Sequence, residues 1–322
     1  MRWLDQRFSR REDGVTAVFV AVFMVVILGM AGYVIDIGVV RQEKRELQNG
    51  ADAGALALAQ ECALGLCTNL TVKAQPYADG NAKDGTSLIT GVTVVGATVK
   101  VDTRTRRTGG ATSLPMQFVQ LVGGPANYTV NATATAGWGA PGSATTVPLA
   151  LSYCQWNSLT GNNTTYPTAE LVILFKGGQV PPTCFGPAGQ NMPGGFGWLD
   201  TISPCRALVT AGGQVGSDPG NGNVNNNGCQ VSDFLNKDVL FPVFKQFTGN
   251  GNNGVYTIYG LATFHITGMR LANNGGWATN PAPCAASTRC VKGYFLRDII
   301  PWTGGALGGG PALGTDVVKL IA

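Results

Sequence analysis

The chain has 322 residues and a mass of 33.4 kDa, and its 44% of hydrophobic residues exclude an extended disordered polymer. Only 12% of residues are Asp, Glu, Lys or Arg, about half the roughly 25% of an ordinary soluble domain. A net charge of +4, with no long basic run beyond the first few dozen residues, leaves nucleic-acid binding without an electrostatic basis, and a single His removes most zinc and imidazole acid/base chemistry.

Residues 1–13 carry Arg2, Arg7, Arg10 and Arg11 and are read as a cytoplasmic N-terminus. From Gly14 to Ile35 no residue is charged, and as a helix this run is about 33 Å long, the thickness of a bilayer core. Arg41, Lys44 and Arg45 follow it, so the positive-inside count barely decides orientation. The cysteines decide it better. All eight lie after the run, and an even number in a Gly-rich chain fits an oxidising compartment, so the remainder of the chain is placed outside the membrane. A cleaved secretory signal is the rival reading, with Gly29, Ala31 and Gly32 as small residues for a peptidase. The run exceeds the usual signal core, however, and the helical pattern continues through Val40, Leu47, Ala51, Ala55 and Leu58. One retained helix over 14–61 is therefore predicted. Small residues Gly29, Ala31, Gly32 and Gly38 would let another helix approach closely in lipid. Asp36, at the membrane edge, is expected to pair with Arg41 or Lys44 or to lie in headgroup water.

The stretch RREDGVTAVFVAVFMVVILGMAGYVIDIGVVRQEKRELQNGADAGALALA closely resembles the N-terminal region of TadE/TadG-like Flp pilus-assembly proteins. The start at Gly14 to Ala17, the apolar run, Asp36-Ile37-Gly38 and the continuation through Gln48-Asn49-Gly50-Ala51-Asp52-Ala53 carry the likeness. VPLALSYCQW, GFGWLD, YGLATFHITGMR and CVKGYFLRD look like the exported domain of actinobacterial members of this group. The resemblance implies a pilin-like membrane anchor in a tight-adherence pilus or secretion machinery, with pilus-assembly membrane proteins or pilin-like subunits as partners. Two features depart from related patterns. A prepilin cut after Gly14 would put Phe19 at the fifth mature position, where pilins carry Glu. The metal-site motif of a von Willebrand A domain is missing, Asp200-Thr201-Ile202-Ser203 being the nearest approach.

After Cys62 the period changes. Ser87–Asp102 and Tyr128–Ala136 alternate as strands, with a short helix predicted over Leu114–Val122 between them, so residues 62–140 are read as a small α+β domain. Gly137–Thr146 reads as a linker. Residues 147–322 are predicted to be a loop-rich sheet domain, with strands at Val147–Tyr153, Glu170–Lys176, Val255–Ile266, Gly293–Asp298 and Val317–Ile321. Val231–Phe247, with Pro242 inside it, suits either helix or strand. The fold class is thus α+β, a long transmembrane helix followed by a loop-rich, disulfide-bearing exported region.

Cys62 with Cys67, and Cys284 with Cys290, enclose short loops that a disulfide can close. Cys154, Cys184, Cys205 and Cys229 allow three pairings, of which 154 with 184 and 205 with 229 is the reading taken. The irregular spacings and the lack of Cys-x-x-Cys argue against zinc. Asp218 to Gly228 resembles a calcium loop in composition but lacks a closing Glu, so it reads as a turn. His265, Asp200 and Asp233 form no recognisable catalytic set, and no Gly-x-Ser-x-Gly elbow occurs. Tyr153, Trp156, Trp198 and Trp277 are read as core. No catalytic residue, cofactor or metal site is predicted. The function expected is a non-enzymatic, membrane-anchored pilus-assembly component; an envelope-tethered adhesin or ligand-binding module is the alternative, and an envelope hydrolase a distant third.

Overall fold

The computed structural model describes residues 5–174, 184–190, 196–218, 230–271, 274–277, 282–285, 288–301 and 307–321. It divides into two compact units. Unit 1 takes the chain through Leu58, Thr68–Ala136 and the last residues from Leu320; unit 2 takes Ala59–Cys67 and Gly137–Lys319.

Unit 1 is organised by α1, one uninterrupted helix over Asp5–Ala63. Positions 32, 36, 47, 51, 55 and 58 recur close to the helical repeat, so Gly32, Asp36, Leu47, Ala51, Ala55 and Leu58 fall on one buried stripe. A second helix, α2 (Leu70–Asn81), lies on that stripe through small residues: a Cβ on Gly50 would sit 3.0 Å from the Ala78 Cα. Pro76 is tolerated inside α2, whose ends are tied by side chains: Asp79 accepts from the Ser87 N–H at 2.8 Å, and Gln75 donates to the Ser87 carbonyl at 3.0 Å. Strands β1 (Leu88–Val95) and β2 (Thr98–Arg104) form an antiparallel hairpin that turns at Gly96, φ +57°, where glycine avoids the Cβ penalty. Beyond a short ladder of β3 (Leu114–Pro115) with β4 (Asn127–Tyr128), strand β5 (Asn131–Gly139) adds to β2. Its alternate alanines, Ala132, Ala134 and Ala136, are buried. The Thr103 hydroxyl donates to both the Leu47 and Ala132 carbonyls, seating α1 against this sheet.

Two expectations fail here. Leu114–Val122 is not a helix; the residues give the β3 pairing and one 3-10 turn at Val119–Val122, because the Met116 N–H is taken by the Ala126 carbonyl across the ladder. Gly137–Thr146 is not a linker either. Strand β5 runs to Gly139, and β6 (Ser143–Thr146) pairs in register with β10 (Ala207–Thr210), burying Ala144 and Thr146.

Unit 2 is built on a mixed sheet whose strands are β7 (Leu149–Ser152), β8 (Leu171–Leu174), β9 (Phe196–Trp198), β11 (Gln214–Gly216), β12 (Lys237–Thr248), β13 (Val255–Leu271), β14 (Asn274–Trp277) and β15 (Cys290–Leu296). The order is β8-β15-β13-β12-β7-β9, with β11 and β14 also pairing β13. Strand β13 is its axis. Ala262, Phe264, Ile266 and Met269 enter one hydrophobic cluster with Leu149, Leu151, Trp156, Trp198 and Phe295, whereas Tyr256, Ile258 and Leu261 enter another with Leu199, Val209 and Phe244. A sheet covered on both faces explains why β13 reads as a nearly continuous apolar run. The ambiguous Val231–Phe247 stretch resolves into a 3-10 turn at Val231–Asp233 and β12, in which Pro242 sits opposite Leu261 and just before a register shift at Val243/Phe244. After β7 the chain turns into the short helix α3 (Tyr153–Leu159), which buries Trp156. Strands β16 (Asp298–Ile300) and β17 (Thr315–Leu320) pair in parallel.

Disulfides join Cys62 to Cys67, Cys154 to Cys184 and Cys284 to Cys290. Cys205 is also disulfide-bonded, and Cys229 lies outside the described residues. The 154–184 bridge closes a long segment rich in Gly, Asn and Pro and the other two close short loops, each restricting chiefly the unfolded chain.

Candidate functional site

The N-terminal half of α1 is apolar and exposed over a long run. From Gly14 to Ile35 only Gly32 is buried; Val18, Phe23, Val25, Ile27, Leu28 and Met30 are all more than half exposed. Isolated surface apolar residues are ordinary, but this continuous sleeve of them surrounds a helix long and apolar enough to cross a membrane.

At the end of this run α1 makes its most specific contact within unit 1. Asp36 is 5% exposed and its carboxylate accepts three backbone N–H groups from one loop: Gln117 to Oδ1 at 3.1 Å, and Phe118 and Val119 to Oδ2 at 2.8 and 2.7 Å. The carboxylate answers the N–H groups that open the Val119–Val122 turn, as an acid does at a helix start. One turn earlier Phe118 lies over Gly32, where a Cβ would come within 2.6 Å of the ring. Glycine is required there for that close approach. Tyr33, Ile37, Val40, Met116, Pro125 and Tyr128 line an open apolar groove of about 290 Å³ that includes Asp36.

The expected partners of Asp36, Arg41 or Lys44 or headgroup water, are thus replaced by the 117–119 backbone; Lys44 instead donates from Nζ to the Asn131 carbonyl at 2.6 Å. Of the four small residues singled out on α1, Gly32 is occupied by Phe118 of the same chain. Gly29 and Gly38 face open space and Ala31 is exposed. The loop itself escaped sequence reading, although the absence of any charged residue between Arg107 and Glu170 was a visible signal.

In unit 2 the residues weighed for catalysis have structural partners. His265 places Nδ1 2.6 Å from Asp238 Oδ1 and stacks on Tyr294 at 5.0 Å. Asp233 accepts the Gln230 N–H at 2.9 Å, closing the 3-10 turn, and Asp200 lies against Gly216 through a backbone bond at 3.0 Å. These three residues are not brought together by any contact described above. Among the described residues no group of three or more His, Cys, Asp or Glu is placed to hold a metal, and the Asn-rich segment 219–228 lies outside them. A cavity of about 530 Å³ is lined by Arg206, Asp233, Phe234 and Lys237 among others. Trp156 and Trp198 are core; the Trp277 side chain is outside the described set. Lys292, on β15, donates across the sheet to Glu170 at 2.5 Å and holds that carboxyl below its usual range. Burial pushes the Tyr166 phenol up to about 12, against the opposing pull of Arg297 stacked 5.2 Å from its ring.

Among the described residues there is one helix, at the N-terminus, long and apolar enough to cross a membrane, consistent with single-pass anchoring and followed by a strand-rich region with disulfides. Residues 14–61, the apolar run and the stripe that follows it, match the family model described as putative Flp pilus-assembly TadE/G-like. No curated protein and no solved structure matches the chain. The family match stops two residues before α1 ends, so it covers the long helix and not the sheets.

Proposed function

We propose that this protein is a non-enzymatic, membrane-anchored component of a Flp-type pilus-assembly or secretion machinery. In this reading residues 1–13 lie in the cytoplasm, residues 14–35 span the membrane, and the rest of unit 1 and unit 2 stand outside it. The observation that carries the reading is α1 itself: a TadE/G-like segment in which an exposed apolar run passes without a break into a stripe packed under a folded unit. Disulfides favour the oxidising side for unit 2. The open Gly29, Ala31 and Gly38 leave backbone accessible for close approach of partner helices in lipid. Pilus-assembly membrane proteins or pilin-like subunits are the partners of this reading, and no nucleic acid is.

The test is complementation of a deletion strain. Loss of surface pili on deletion and recovery with the full chain are expected. A chain whose residues 15–31 are replaced by an unrelated apolar span of equal length should reach the membrane yet restore pilus number poorly, because only the packing surface has changed. Normal piliation in the deletion strain would overturn the assembly role and leave a tethered adhesin; full rescue by the exchanged span would remove the helix-packing part.

A further inference from the structure

The loop clamped by Asp36 has the properties of a second membrane contact. Leu121 is 81% exposed and Val122 70%, and Phe118 and Tyr128 are exposed on the same connection. Nothing from Thr108 to Ala169 is charged, while Arg104, Arg106 and Arg107 precede the loop in sequence and Arg41, Lys44 and Arg45, interspersed with Glu43 and Glu46, follow Asp36 on α1. The position of the tip follows from Gly32. Phe118 covers that glycine, which lies three residues inside the apolar run ending at Ile35, or about 5 Å of helix rise. A side chain touching α1 at that level shares the depth of the last turn of the span.

The backbone is equipped for this depth. Non-helical chain is tolerated near hydrocarbon only when its polar groups are satisfied within the protein. Here the N–H groups of Gln117, Phe118 and Val119 go to Asp36, that of Met116 to Ala126, Leu121 to Phe118, Gly123 to Gln120 and Gly124 to Val119, and Pro115 and Pro125 have none to satisfy. The Gln120 side chain is turned inward to donate to the Met116 carbonyl.

We propose that residues 118–122 dip into the leaflet adjoining unit 1, with Leu121 and Val122 as apolar anchors beside α1 and the nearby arginines and Lys44 at the headgroup level. The occupant of this apolar tip is lipid, and Asp36 is the positioning residue that holds the tip at the correct height. The inference rests on the reading of residues 14–35 as the span, and the test separates the two.

Single cysteines are introduced by Leu121→Cys, Val122→Cys, Val26→Cys in the span and Val72→Cys on α2, each in the otherwise unchanged full chain with the parent protein as labelling blank. Each is spin-labelled and reconstituted at high lipid ratio into phosphatidylethanolamine/phosphatidylglycerol vesicles. Collision with apolar oxygen is compared with collision with a polar nickel chelate. Positions 121 and 122 are expected to favour oxygen, like position 26, while position 72 favours nickel. Nickel preference at both 121 and 122 with oxygen preference at 26 would overturn the loop proposal and leave the span standing. Shielding from both reagents at 121 and 122 would overturn it in favour of a protein occupant. Nickel preference at 26 would overturn the span, and the loop proposal with it.

Discussion

Asp36→Ala is expected to release the 116–125 loop from α1. Alanine removes the acceptor of three N–H groups at once, and charged acceptors make the stronger hydrogen bonds. Amide exchange at Gln117, Phe118 and Val119, measured on the full chain in lipid nanodiscs, should accelerate by roughly tenfold or more, because local opening then sets the rate. The hairpin amides around Val99 and Val101, which belong to the sheet and not to the loop, should keep their protection. Asp36→Asn keeps one carbonyl oxygen as acceptor without the charge, and an intermediate effect is expected. Unchanged exchange at 117–119 in the alanine variant would show that the loop is held by other contacts.

The second large effect belongs to the sheet. Phe264 is fully buried at the centre of β13, edge-on to Phe241 at 5.5 Å and to Phe295 at 4.8 Å. Truncating such a ring removes transfer energy and leaves a cavity, so Phe264→Ala should cost about 3–5 kcal/mol, a large share of the roughly 5–15 kcal/mol that holds a typical fold. Denaturant unfolding of the detergent-solubilised chain, followed through the aromatic circular dichroism of unit 2, reads the loss. Phe264→Leu should cost under about 1.5 kcal/mol, since it nearly conserves volume. A loss below about 1 kcal/mol for the alanine variant would mean that this face of the sheet can collapse around the gap.

How far the sequence foretold these features depends on how each element is stabilised. The stripe on α1 through Leu47, Ala51, Ala55 and Leu58 was legible because one face of a long helix is buried and periodicity reports that directly. Strands β13 and β15 of unit 2 were legible through their β-branched and aromatic runs, whereas β12, with Pro242 inside it, stayed open between helix and strand. Helix α2 was not, because it packs by Ala74 and Ala78 against glycine, contains Pro76, and offers no apolar period to detect. The Leu114–Val122 stretch misled for the opposite reason: its spacing is helical, but the β3 ladder and the Asp36 carboxylate compete for the same N–H groups and prevail. Long-range claims on backbone of this kind leave no local mark. Asp36 was visible as an anomaly beside an apolar run, yet its partner lies some eighty residues away. Only tertiary structure joins the two.

The central claim is that α1 remains in the mature protein as a span continuous with the folded units. The mass and N-terminal sequence of the protein recovered from the membrane fraction test it most directly. A chain that retains residues 15–35, whether intact or starting at Val15, is the result expected; the intact form marks a permanent anchor, the shorter one a processed pilin-like subunit despite Phe19. A chain starting near Tyr33 would contradict the account, because the span would then be a discarded signal and units 1 and 2 a secreted protein.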